Sequence, residues 1–218
     1  MKNLSPEQLR EEQAKTLAAP KIQYGLLAKF LFRAMDLLYG RKRSWSKFKV
    51  LELIARVPYQ AWEHVAYIAI THTYKQADFA RRIFDRVQEC RRQQDNEQWH
   101  LLILEEWVHR QQIRETFFLH RIIPQVMAFI YYHICWLLYV IKPSSSYRLN
   151  AEFEAHAEWE YMAFILEHPE LESEPFESVF QEDYGDFRTM ADAIRQFGYD
   201  ERIHKEESLE RIANARFD

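Results

Sequence analysis

The stretch Asn96-Glu97-Gln98-Trp99-His100-Leu101-Leu102-Ile103-Leu104-Glu105-Glu106-Trp107-Val108-His109 holds two Glu-x-x-His motifs, Glu97/His100 and Glu106/His109. Residues three apart on a helix sit one turn above each other, so each pair can reach a single ion. The motifs are nine residues apart. At about 100° per residue they point to opposite sides of one helix. Glu97 and His100 share a face with Leu101, Leu104 and Val108, an apolar stripe, which predicts that they face a core. Glu106 and His109 neighbour Glu105 and Arg110 and are expected to face outward. A third copy, Glu201-Arg202-Ile203-His204, lies far downstream.

Hydrophobic residues make up 48% of the 218-residue chain, while Gly is only 4 and Pro 7. So few turn formers argue for long helices and against a many-stranded sandwich. Six helices are predicted: Lys21 to Tyr39, Ser46 to Thr73 with a kink at Pro58, Gln76 to Gln112, Glu115 to Ile141, Leu149 to Glu167, and Asp186 to Asn214. Residues 1–20 read as a polar segment, and 21–218 as one helical domain. Lys142-Pro143 with Ser144 to Ser146 reads as a loop, and a Glu-rich segment runs to Glu182. The fold class is all-α.

Single carboxylates complete the pattern. Glu52 sits in Val50-Leu51-Glu52-Leu53-Ile54, where burial is costly without a partner or a metal. Glu154 opens the fifth helix, sharing a face with Tyr161 two turns later. The order Glu52, Glu97/His100, Glu154, Glu201/His204, one motif per helix, is that of a ferritin-like di-metal four-helix bundle. Oxygen ligands with one imidazole per metal suit iron or manganese better than zinc or calcium.

The net charge of -4 gives no global attraction to nucleic acid. Cys90 and Cys135 lack metal-type spacing and read as free thiols in a reducing compartment. No secretory signal is read in Met1 to Glu12. Lys29, Arg33 and Asp36 form a narrow polar stripe on an otherwise apolar helix, followed by Arg41, Lys42, Arg43, Lys47 and Lys49. That pattern suits a helix lying among anionic headgroups. Ile122 to Ile141 is long enough to span a bilayer, but it carries Pro124, Gln125 and His133. Insertion into one leaflet is therefore expected.

The runs Met35 to Tyr39, Val50 to Tyr59, Asn96 to Glu106, Glu154 to Tyr161 and Asp200 to His204, in this order, resemble the alternative oxidases, particularly the plastid terminal oxidase branch. The resemblance extends from about Tyr24 onward. It implies a bundle holding two iron ions, with two further helices, near 21–39 and 115–141, lying on the membrane. It also implies a quinol:oxygen oxidoreductase that reduces O₂ to water on one leaflet of a thylakoid, plasma or inner membrane, as a homodimer. The implied metal ligands are Glu52, Glu97, His100, Glu154, Glu201 and His204, and Tyr161 matches the family's redox-active tyrosine. The sequence departs from the family at the substrate pocket: Leu53 follows Glu52 in place of threonine, Glu160 precedes Tyr161, and Lys47 stands for an arginine. Lys47, Leu51 and Glu160 are thus the expected substrate-binding positions. Phe197-Gly198-Tyr199 also interrupts the usual Ile-Arg before the last motif. An O₂-dependent hydroxylase or desaturase of another hydrophobic molecule, or a non-catalytic assembly subunit, are the competing functions.

Overall fold

The computed structural model describes residues 3–215, which are helical almost throughout. The helices are α1 (Pro6–Ala18), α2 (Leu26–Tyr39), α3 (Trp45–Ala55), α4 (Val57–Thr73), α5 (Ala77–Arg110), α6 (Ile123–Ile141), α7 (Pro143–Glu167), α8 (Gln181–Tyr184) and α9 (Met190–Ala213). A π-turn, Phe118–Ile122, leads into α6, and a 3₁₀ turn, Pro169–Glu172, follows α7. Among the described residues the extended backbone is limited to an isolated bridge between Pro175 and Thr189.

Helices α3, α5, α7 and α9 surround the core. α7 packs along α9, α5 runs beside α3 and α4, and α6 covers α4. α5 is 34 residues, about 50 Å, and carries the first Glu-x-x-His past its midpoint. Its inward face is fully buried at Glu97, His100 and Leu104, and Val108 continues it.

The helix expected over 46–73 is split at Arg56. Pro58 has no N–H to return to Ile54 and its ring crowds that carbonyl, so the ladder breaks and α4 restarts with Pro58 in its first turn. Two sequence expectations need correction. Pro143 to Ser146 is not a loop but the first turn of α7, where proline's fixed φ and missing donor cost nothing. Within the 1–20 segment, residues 6–18 form α1, started by a capping box between Ser5 and Gln8. Its anchors are the fully buried Leu9, Gln13 donating to the Met162 carbonyl (2.9 Å), and ion pairs of Glu12 with Arg202 and of Glu172 with Arg10. Interspersed charges hid this amphipathic helix.

α7 and α9 approach closely at Gly198. A Cβ there would lie 2.9 Å from the Met162 methyl and 3.3 Å from the Tyr161 Cβ. The Phe197-Gly198-Tyr199 departure therefore sets the spacing of two ligand-bearing helices.

The membrane expectation falls on exposed apolar side chains. Leu26, Phe30 and Leu37 project from α2, and Phe117, Phe118, Phe129, Ile130, Leu137 and Ile141 from the π-turn and α6. Among the described residues one helix, Phe118–Ile141, is long and apolar enough to cross a membrane, and only 22% of its most apolar window is buried.

Candidate metal centre

All six predicted ligand residues meet in the core, each 0% exposed. They form two overlapping groups whose ligand atoms lie within 4.8 Å of one another: Glu52, Glu97, His100 and Glu201, and Glu97, Glu154, Glu201 and His204. Glu97 on α5 and Glu201 on α9 belong to both. Each group adds one private carboxylate, from α3 or α7, and one imidazole.

The terminal carboxylates are held crosswise. Tyr161 of α7 donates to Glu52 of α3, and Tyr59 of α4 donates to Glu154 of α7 (2.6 Å). Tyr59 in turn accepts from Asn150 (2.9 Å). Each tyrosine follows a glutamate by seven residues, two helical turns. That shared spacing was the signal that could have found Tyr59, whose role sequence reasoning missed.

The His100 Nδ1 turns toward Glu52 and Glu201 (3.2 Å each), while its Nε2 lies between the Tyr184 hydroxyl (3.2 Å) and the Asp200 carboxylate (3.3 Å). Asp200 also accepts from Tyr184 (2.7 Å) and Asn96 (3.1 Å). Sequence reasoning passed over Asp200, although it directly precedes the last motif.

Whether these residues fit cations is tested by what they lack. Both carboxylate oxygens of Glu97 and of Glu201, one of Glu154, and both nitrogens of His204 are buried without a hydrogen bond. The His204 Nδ1 lies 2.7 Å from Glu97 without hydrogen-bond geometry. Unsatisfied charge of this density is prohibitive in a core unless a cation occupies it. With no cation, burial and then repulsion from Glu201 push Glu97 and Glu154 well above the usual carboxylate range. Burial also pushes Glu201 upward, but the neighbouring His100 and His204 imidazoles outweigh it and hold Glu201 at about 2. Protons thus stand in for metal charge. The donor set of carboxylate oxygens and imidazoles fits two ions such as iron.

Tyr161 is fully buried, stacked on Phe48 (4.5 Å) and edge-on to Phe197 (5.8 Å). Burial, reinforced by Glu52, raises its phenol well above the ordinary value, so it keeps its proton. Lys47, Leu51 and Glu160 line a small pocket between α2, α3 and α7, together with Phe32, Asp36 and His156. Its volume is only about 20 Å³. Ion pairs close it: Lys47 with Asp36 (2.7 Å), and Arg43 with Glu160 (3.1 Å) and Glu167. His156 stacks on Phe32 (4.0 Å), and burial, with Lys47 adding, lowers it to about 4.

Glu106 and His109 stay apart from the centre. Glu106 bonds Arg110 (2.9 Å) and Ser178 (2.6 Å), and His109 is exposed.

Residues 3–210 match the family model described as alternative oxidase. The chain is also 31% identical over 148 residues to ubiquinol oxidase 4, chloroplastic/chromoplastic, of Arabidopsis thaliana. That alignment covers 66% of this chain and 39% of the relative, so the chain spans about two fifths of the length of the curated relative it matches. With an all-α bundle, the carboxylate–histidine cluster and a family match over nearly its whole length, the chain belongs to the alternative oxidase family.

Proposed function

We propose that this protein is a membrane-surface quinol:oxygen oxidoreductase using two iron ions held by Glu52, Glu97, His100, Glu154, Glu201 and His204. The observation that carries this is the pair of four-residue groups sharing Glu97 and Glu201, with their buried oxygens unsatisfied. Bound iron would supply the redox chemistry that delivers electrons to O₂. A pair of quinols, each giving up two electrons and two protons, balances one O₂ reduced to water.

The protein's own contributions follow from its geometry. Tyr59 and Tyr161 fix the terminal carboxylates from opposite sides. Tyr161 holds a phenolic proton and an oxidisable ring directly beside Glu52, able to provide both to the site. Phe48, Phe153, Phe197 and Leu104 exclude water around it. Lys47, Leu51 and Glu160 form the substrate pocket, with Leu51 and Phe48 separating it from Glu52 and Tyr161. The pocket is too small for a quinol head as it stands, so binding requires its walls to part, and the Arg43–Glu160 ion pair is one contact that would then open. The exposed apolar side chains of α2 and α6 would lie in one leaflet, bringing this pocket to the lipid surface. The same reading includes a homodimer.

The carboxylate Glu160 and its Arg43 partner favour a second reading, oxidation of another hydrophobic substrate by the same centre. Oxygen uptake by iron-loaded protein with a panel of quinols decides between them. Quinol-dependent uptake is expected. A loaded centre inert toward every quinol would sink the quinol oxidase assignment.

A further inference from the structure

The two tyrosines that hold the terminal carboxylates have opposite surroundings. Tyr161 touches rings that resist oxidation: it is stacked on Phe48 and edge-on to Phe197, with Phe164 against Phe48 (5.1 Å). Tyr59 opens instead onto indole and phenol rings, the most readily oxidised aromatic side chains. Its ring meets His204 on one side (5.5 Å) and Trp62 edge-on at 5.3 Å. Trp62 in turn touches Tyr147 (4.5 Å) and stacks on Tyr139 (5.7 Å), and those two phenols are hydrogen-bonded to each other at 3.0 Å. All four rings are at most 4% exposed. The cluster that holds them reaches the partly buried Ile212 and Ala215, at the edge of the bundle where α9 ends. Polar-tipped rings are a costlier way to fill a core than phenylalanine or leucine. A line of oxidisable rings in contact, however, also passes electrons one at a time.

We propose that Tyr59, Trp62 and the Tyr139–Tyr147 pair form a discharge route, which carries oxidising equivalents away from the metal centre when O₂ arrives without substrate. The proposal rests on the iron reading above. Reducing O₂ to two waters takes four electrons, and two ferrous ions passing to ferric supply two of them. Without a quinol the other two must come from the chain. Tyr59 gives up an electron, its phenolic proton moving to the Glu154 oxygen it already bonds (2.6 Å). Trp62 refills Tyr59, whose proton returns, and keeps its own N–H on the Ser146 hydroxyl (2.8 Å). A tyrosine of the pair then refills Trp62 and releases its proton to water at the bundle edge. A small thiol from solution restores that tyrosine with a hydrogen atom. Two such transfers turn two thiols into one disulfide and release two protons, which balances the two electrons. Tyr161, walled by phenylalanines, keeps its electron for the substrate reaction.

The test is a turnover without substrate. The full chain loaded with ferrous iron is mixed with O₂ in the absence of quinol and frozen for electron paramagnetic resonance, and oxidised residues are mapped by peptide mass spectrometry. In the wild type a tyrosyl signal and oxidation at Tyr139 and Tyr147 are expected, and dithiothreitol should erase both. Trp62→Phe, which keeps a ring in place, should lose the oxidation at Tyr139 and Tyr147 while iron content stays at the wild-type level. If that variant folds poorly, Tyr139→Phe combined with Tyr147→Phe carries the test: the hole should then rest on Trp62, and the signal should change from tyrosyl to tryptophanyl. Undiminished oxidation of the pair in Trp62→Phe, an unchanged tyrosyl signal in the double variant, or an unoxidised pair in iron-loaded wild type would overturn the route. Iron content separates the two readings. Loaded protein without oxidation of the pair removes this inference alone, whereas a chain that binds no iron removes the centre on which it depends.

Discussion

Replacing Glu97 by Gln should change stability in opposite senses with and without metal. In the metal-free protein the Glu97 carboxyl is fully buried and titrates well above 4.5, from burial and then from repulsion by Glu201 and Glu52. Its folded pKa lies above the unfolded one, so stability is fully present below about pH 4.5 and is lost as pH rises toward the folded value. The loss is at most about 1.4 kcal/mol per pH unit over that interval. A Coulomb estimate sets the scale: carboxylate oxygens no more than 4.8 Å apart, at an effective dielectric of about 20, repel by about 3 kcal/mol. Glutamine keeps the shape without the titration. Metal-free E97Q should therefore be more stable at pH 7 by up to about 3 kcal/mol, raising the thermal midpoint by about 6–12 °C for a chain of this length. At pH 5 the difference should shrink below about 1 kcal/mol. With ferrous iron at a hundred times its Kd, each occupied wild-type position gains about 2.7 kcal/mol. E97Q, lacking a shared carboxylate, should gain almost nothing. Thermal unfolding by circular dichroism, run anaerobically at both pH values with and without iron, reads all of this. A metal-free E97Q less stable than wild type at pH 7, or equal protection of both proteins by iron, would refute the reasoning.

Glu106→Ala should leave iron content unchanged while costing about 1 kcal/mol, because it frees Ser178 and the Val179 amide; faster proteolysis of the 174–180 segment would show it. Tyr161→Phe should load iron normally yet lower quinol-dependent oxygen uptake by about tenfold or more, equivalent to at least 1.4 kcal/mol in the barrier; full activity would remove the tyrosine from the chemistry. Arg195 holds the Glu172 carboxyl below 4.5, and at Glu12 the bonds from Lys15 and Arg202 outweigh burial to the same effect. These depressed values stabilise the arm above about pH 4.5 and lose their effect as pH falls through them, so α1 should loosen on acidification ahead of α7 and α9. Hydrogen exchange corrected for intrinsic rates measures that order. The protein should float with liposomes and resist extraction by high salt, and release by salt alone would argue against apolar insertion.

Much of the centre was legible because helical spacing alone puts Glu97 beside His100 and Glu201 beside His204, and because Glu52 is surrounded by apolar residues. What spacing cannot reveal is which carboxylates two ions would share. That depends on how α5 and α9 sit against α3 and α7, a matter of packing at positions such as Gly198. The partners Tyr59 and Asp200 were missed for a related reason, although the seven-residue spacing after Glu52 marks the first. Each acts across a helix–helix contact, and polar residues of these types more often face solvent. α1 went unread because its apolar positions are few and charges intervene. The Pro143 turn was misread because a proline and three serines mark loops and helix starts alike.

Glu97 and Glu201 serve both four-residue groups, which has a consequence for biosynthesis. Either ion needs a side chain from α9, the last of these helices in chain order. A nascent chain that has completed α3, α5 and α7 thus owns no finished binding position, whatever iron surrounds it. Metal capture would then report that the entire bundle has closed, so redox-active iron is not retained by a half-folded intermediate with its apolar surfaces still exposed.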